Sequence, residues 1–308
     1  MSSKLLFKLN NLMEGRVIKR PSQYIKSPYV ADIITSIHDN SVEILGDTVE
    51  VLGHTASLGC CGLADVNATI LMTLSSSSKK TKIKNKANRK CTHTVYLSIL
   101  QEKEQNEGKE QKEQIIGIHP KLAEQLVESA LTNNYLSILQ NVKWYRRETT
   151  IHVKDTIHSR FDFTGVDQHG IPFIMEVKNV PLADYEDVSS KERKTMDFTG
   201  YELDTKVAYF PDGYRKKSDD PVSPRALKHI KELTLIKQET NIRCIMCYVI
   251  QRTDVNRFQP SVIDPEYRAA FKHALNAGVE IITMVVKWTR EGNAYFVRDD
   301  LPITPFTI

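Results

Sequence analysis

The segment that most constrains this chain is Phe161-Asp162-Phe163, followed across a polar turn by Ile171-Pro172-Phe173-Ile174-Met175-Glu176-Val177-Lys178. Two runs rich in β-forming residues flank Asp167-Gln168-His169-Gly170, so the segment reads as a β-hairpin. A three-residue loop ending at Gly170 sets Asp162 opposite Glu176, and side-chain alternation brings Lys178 onto the Glu176 face. Like charges directly opposite one another are costly in a strand pair. A divalent cation removes that cost. Mg²⁺ takes hard oxygen ligands, keeps several waters and is commonly held by one or two carboxylates. A lysine beside it can orient or deprotonate water and offset charge on a phosphate.

An Asp, a gap of roughly a dozen residues and then Glu-x-Lys at the end of a strand is the pattern of PD-(D/E)XK nucleases. Taken alone the pattern is weak, and a surface hairpin with a cross-strand salt bridge is the plain alternative. The apolar residues Phe161, Phe163, Ile174, Met175 and Val177 favour a strand buried on at least one face.

With 308 residues, 41% hydrophobic and 26% charged, the chain has material for a substantial core and for two domains. The net charge of +4 is mildly basic, compatible with nucleic acid, and much of the excess lies between Lys79 and Lys90. Only Leu5, Leu6, Phe7 and Leu9 precede the return of polar residues, so neither a signal peptide nor a membrane span is expected. Five scattered cysteines fit free thiols in a reducing, intracellular setting. Cys244 and Cys247 stand three apart in an apolar run that reads as a strand. They are expected on opposite faces, as core residues and not as a chelating pair.

Between Leu12 and Leu74, short β-like runs (16–19, 29–37, 42–51 and 66–74) are separated by turn residues, which suggests a small antiparallel barrel or sandwich. The Ser/Lys tract 75–90 and the Glu/Lys/Gln stretch 101–114 bury too little apolar surface to order themselves and read as insertions. Thr94–Leu100 resumes as a strand. From Pro120 to Leu139 the period changes to helical, with Leu122, Ala123, Leu126, Val127, Ala130 and Leu131 on one face. Glu124 and Glu128 lie on its margin. Further on come a strand at 143–152, the hairpin, a charged stretch at 184–206, a helix at 224–236 and a buried strand at 243–251. A helix at 265–277 ended by Gly278 and a buried strand at 279–286 follow. That order implies an α/β domain with a mixed sheet covered by helices.

Ordered matches along nearly the whole chain resemble the sugar fermentation stimulation protein (SfsA) family. They begin with 13–20, a divergent form of the family's glycine-rich signature at 53–59, and 118–131. More specific are Arg160-Phe161-Asp162-Phe163, Glu176 through Ala183, Phe210-Pro211-Asp212, Arg225, Lys228-His229-Ile230 and Gln251 through Phe258. Ile263 through Tyr267 and Ala277 through Glu280 close the series. The resemblance implies an N-terminal all-β OB-fold domain over 1–117 and a restriction-endonuclease-like PD-(D/E)XK domain over 118–308.

By that resemblance Asp162 and Glu176 are ligands of Mg²⁺ or Mn²⁺, with Lys178 the water-activating or phosphate-contacting group. Glu128 is the expected helix-borne accessory carboxylate, and Gln251 a strand residue near the site. Arg225, Lys228 and His229 are expected substrate contacts. A basic outer helix face is the alternative for those three. On the barrel, Arg16, Lys19 and Arg20 with Tyr24 and Tyr29 supply the cations and rings that OB-folds use on nucleic acid.

Two functions fit this reading. One is a metal-dependent nuclease acting on DNA ahead of RNA, with no membrane partner and room for a homodimer. The other is a DNA-binding regulator that has kept the nuclease fold without its activity. The joint presence of Asp162, Glu176 and Lys178 favours the first, because two acids facing a polyanion do not help a protein that only binds it.

Overall fold

The computed structural model describes residues 4–39, 42–55, 62–75, 91–102, 112–153, 157–193, 195–198, 200–202, 204–211 and 221–306. The tract 76–90, most of 101–114, the turn at Asn40-Ser41, the glycine-rich signature from Ala56 onward and Asp212 lie outside these residues.

After β1 (Leu5–Lys8), the first half is a barrel built from β2 (Met13–Lys19), β3 (Val30–Asp39), β4 (Val42–His54), β5 (Thr69–Leu74), β6 (His93–Glu102) and β7 (Lys112–Gly117). β2, β3 and β4 form an antiparallel meander. β5 pairs with β2 and β6 with β5, and β6 then runs parallel to β4 at Gly53–His93 to close the ring. This five-strand closure is the OB-fold pattern, which leaves few free edges. Alternation along β2 explains its placement: Gly15 and Val17 are buried, while Glu14 and Arg16 face out. Val17, Ile33, Ile70, Met72 and Val95 fill the interior.

The second half contains α1 (Pro120–Thr132), β8 (Trp144–Val153), β9 (Ile157–Val166), β10 (Pro172–Val180), β11 (Ala183–Asp184), α2 (Ser190–Arg193) and β12 (Lys206–Phe210). It continues with α3 (Pro224–Glu239), β13 (Arg243–Ile250), β14 (Val255–Pro260), α4 (Pro265–Asn276), β15 (Glu280–Trp288) and β16 (Asn293–Arg298). A seven-stranded mixed sheet runs β1-β16-β15-β13-β10-β9-β8, with β10, β13 and β15 parallel. Strand β13 divides two cores. Cys244, Met246 and Tyr248 pack on the α3/α4 side, whereas Ile245, Cys247 and Val249 pack on the α1 side. The two cysteines therefore fall on opposite faces, as strand periodicity requires.

Three features depart from the sequence reading. Helix α1 stops at Thr132, seven residues early, because Asn133 caps it and Asn134 takes a left-handed φ of 55°. Leu136 and Leu139 still reach the same core from the turns beyond. The charged stretch at 184–206 borders structure: β11, β12 and β14 form a separate three-stranded sheet. Beneath it Lys206 and Arg252 hold Asp254 at 2.7 and 2.6 Å, and these bonds outweigh burial to keep Asp254 down at about 2. Finally, β1 does not join the barrel; it pairs antiparallel with β16, with Leu5 opposite Tyr295.

The barrel is seated directly on the large sheet. Arg290 at the β15–β16 turn bonds Glu113 and Glu14 of the barrel, and Gly117 N–H donates to the Gln251 carbonyl at 3.1 Å. Among the described residues, no helix is long and apolar enough to cross a membrane.

Candidate metal and phosphate site

The hairpin register is the expected one. Phe163 pairs with Met175 and Val166 with Pro172, so the next rung sets Asp162 against Glu176. At that rung the strands part. Phe163 packs in the α1 core and Phe161, two residues earlier, in the α3 core, so β9 turns at Asp162. Opposite it in β8, Glu148 carries a left-handed φ of 51°. The Val177 N–H donates to Asp162 Oδ2 at 2.7 Å.

A cavity of about 560 Å³ opens where β9 leaves β10. Asp162, Glu176, Val177, Lys178 and Asn179 form its floor; Ala123 and Glu124 of α1 line it, as do Arg225 and Ala226 of α3 and Tyr29 of the barrel. Tyr29 is steadied by stacking on His54, ring centroids 6.2 Å apart. At the same seam His119 stacks on Tyr96 at 4.8 Å. Burial, helped by His54 and Lys121, pushes His119 down to about 4 and keeps it neutral.

Glu176 is only 2% exposed. Its Oε1 takes the Lys178 ammonium and lies 2.5 Å from His229 Nδ1, off the alignment of a full hydrogen bond. Its Oε2, although buried, has no partner among the described residues. Burial alone would raise Glu176, but the charges of Lys178 and His229 prevail and hold it below the ordinary carboxylate value. Asp162 goes the other way. Burial, followed by the charge of Glu176, pushes it up to about 7 against the opposing pull of the Val177 N–H and Lys178. Two neighbouring carboxylates driven apart in this way mark a site prepared for a positive charge.

Among the described residues, no group of three or more His, Cys, Asp and Glu side chains is arranged to hold a metal. The cleft brings together two buried carboxylates, Asp162 and Glu176, one with an oxygen unpartnered among the described residues. That suits an ion such as Mg²⁺, which fills its remaining positions with water and substrate oxygens.

The other residues singled out from sequence divide. Glu128 is not in the cavity lining; Arg147 of β8 draws it outward at 2.8 Å, with Tyr145 nearby. The acid that α1 brings to the cleft is Glu124, one turn earlier, which shares the same arginine at 2.8 Å. Gln251 lies beneath the cleft, fully buried, bonded to Asn179 and Trp288. Of the α3 trio, Arg225 faces the cleft. Lys228 bonds the His158 carbonyl at 2.8 Å, away from it. His229 is buried between Glu176 and Phe161, which makes it a support for Glu176 and excludes direct contact with a polymer. On the barrel Arg16 and Lys19 are exposed, but Arg20 is committed to the Pro28 carbonyl at 3.1 Å and to Asp65 at 3.7 Å. Sequence reasoning missed Asn179, which adjoins Lys178 in the motif itself.

The family model described as the sugar fermentation stimulation protein RE domain matches residues 121–292, more than half of the chain. A sugar fermentation stimulation protein homolog of Jannaschia sp. is 32% identical over 190 residues, covering 61% of this chain and 65% of its own length. One from Pseudomonas aeruginosa is 32% identical over 171 residues, 55% of this chain and 60% of its own. The chain thus spans under two thirds of the length of these relatives. In fold the likeness extends further. A solved structure described as Pyrococcus furiosus SfsA in complex with Ca²⁺ matches 98% of this chain and 99% of its own, with a TM-score of 0.64 at 18% identity. From the domain match that contains the Asp162–Glu176–Lys178 hairpin, the chain belongs to the sugar fermentation stimulation protein (SfsA) family.

Proposed function

We propose that this SfsA-family protein is a metal-dependent phosphodiesterase acting on nucleic acid, DNA ahead of RNA. The observation that carries the reading is the buried pair Asp162 and Glu176 in one cleft with Lys178, one carboxyl pushed up to about 7 and the other left with an unpartnered oxygen. The Ca²⁺ recorded with the Pyrococcus relative supports a divalent ion here, held by Asp162 and Glu176. Such an ion, Mg²⁺ or Mn²⁺, supplies Lewis-acid polarisation of a phosphate and a more acidic attacking water.

The chain's own residues supply the rest. Lys178 presents an ammonium that can hydrogen-bond a phosphate oxygen and orient the attacking water. Arg225 adds a second cation at the opening of α3, where helix polarity also favours an anion. Tyr29 offers a ring of the kind on which bases stack, and Arg16 and Lys19 extend the positive surface onto the barrel. His229 backs Glu176 and fixes its direction.

A specific observation also favours the regulator reading: the Lys178 ammonium already balances the charge of Glu176 without any ion. The two separate in one experiment. Purified protein is incubated with labelled single- and double-stranded DNA and RNA in Mg²⁺, Mn²⁺ or EDTA, beside Lys178→Ala. Metal-dependent cleavage that disappears in the variant is expected. Binding without cleavage under every metal would establish the regulator instead.

A further inference from the structure

Gln251 and Trp288 lie under the cleft floor, 0% and 3% exposed, and neither reaches the cavity. Their polarity nevertheless reaches it through one more residue. An indole N–H can only donate, and Trp288 Nε1 donates to Gln251 Oε1 at 2.8 Å. That bond fixes which way the Gln251 amide faces, so its Nε2 donates to Asn179 Oδ1 at 2.6 Å. Asn179 must then turn its own NH₂ away from Gln251. The side chain lines the cavity, and among the described residues nothing accepts from that nitrogen. An obligate donor in the core thereby sets an obligate donor in the cleft.

The packing leaves this relay little freedom. Gly117, where the barrel joins the nuclease-like half, lies so close that a Cβ there would sit 1.9 Å from Gln251 Oε1 and 2.6 Å from Trp288 Nε1. Any other residue would push the Gln251 amide and the Trp288 indole apart. Asn179 follows Lys178 directly and so projects from the opposite face of β10. The two flank the strand end.

We propose that Asn179 is a substrate-contacting residue that donates to a non-bridging phosphate oxygen of the nucleic-acid strand, with Gln251 and Trp288 as positioning residues that lock its amide. This rests on the reading of the cleft as a phosphodiester site. An amide NH₂ alone would accept many oxygen ligands; Lys178 and Arg225 beside it select an anionic one.

The test is binding of a fluorescein-labelled 12-nucleotide thymidine strand to the full chain in EDTA, followed by anisotropy, so that cleavage plays no part. Asn179→Ala and Asn179→Asp should each weaken binding about ten- to hundredfold, as expected for a lost hydrogen bond to a charged acceptor. Trp288→Phe, which never touches the strand, should weaken it several-fold alone and not further when combined with Asn179→Ala, since the two act in series. Circular dichroism monitors folding. Unchanged affinity in Asn179→Ala, or weakening by Asn179→Asp alone, would overturn the donor assignment and leave the nuclease reading intact. Additive losses for Trp288→Phe and Asn179→Ala would overturn the relay. Absence of binding by the unaltered protein would overturn this assignment together with the nucleic-acid reading.

Discussion

Replacing Asp162 by asparagine should make the metal-free protein more stable, and by an amount that depends on pH. In the folded protein the Asp162 carboxyl sits at about 7 against an ordinary 3.8, owing first to burial and then to Glu176. The folded state therefore keeps a proton that the unfolded chain releases, and stability is lost as pH rises from about 4 to about 7. The slope approaches 1.4 kcal/mol per pH unit, giving a ceiling of about 4 kcal/mol above pH 7. Asparagine carries no such charge, and its Oδ1 can still accept the Val177 N–H that Asp162 Oδ2 now takes. With allowance for local relaxation, a gain of about 2–4 kcal/mol at pH 8 is expected, or roughly 3–6 °C in melting temperature for a chain of this size. The gain should shrink to nothing near pH 4. Thermal and urea unfolding in EDTA from pH 4.5 to 8.5 measure it. Adding Mg²⁺ should narrow the gap by stabilising only the unaltered protein. A variant less stable at pH 8, or a gap independent of pH, would refute the account of Asp162 as a buried charge held against Glu176.

Two paired comparisons test the assignments around the cleft. Glu124→Ala should lower the rate of cleavage at least tenfold, whereas Glu128→Ala, outside the cavity, should leave it within about twofold; single-turnover assays under matched metal distinguish them. Arg225→Ala should weaken oligonucleotide binding and reduce the slope of log affinity against log salt by about one, while Lys228→Ala, committed to the His158 carbonyl, should change neither appreciably.

The hairpin was legible because register follows from turn chemistry and period-two alternation, both local. Strand β13 and helices α3 and α4 were legible for similar reasons: a continuous apolar run, a 3.6 period, and a stop at Gly278. What alternation could not convey is the turn of β9 at Asp162, where Phe161 and Phe163 part to different cores. That turn opens the cleft. Nor could the spacing of Glu124 and Glu128 decide between them, since both occupy the helix margin and the choice depends on Arg147, delivered by a strand remote in sequence. His229 looked like a surface contact in the company of Arg225 and Lys228. Its burial follows from the rotation of α3, which turns Ala226, His229, Ile230 and Leu233 inward at spacings of three and four. Asn179 was hidden in a familiar motif: nothing in Glu-x-Lys-Asn says that a tryptophan more than a hundred residues away will determine how the amide faces.

The pairing of β1 with β16 bears on how such a chain can be made and divided. Topologically the barrel is a loop of some hundred residues thrown out between the first strand of the large sheet and the rest of it. While the chain is being synthesised, Leu5–Lys8 must wait for Asn293–Arg298 to emerge before it finds its partner, a closure of very high contact order. The barrel can be complete long before then, tethered by an unpaired leader. A fragment beginning at residue 118 would look like a clean nuclease-like domain in sequence, yet it would expose the full hydrogen-bonding edge of β16 to solvent and to other copies. The separable unit is therefore the insert, removed with both of its flanks rejoined.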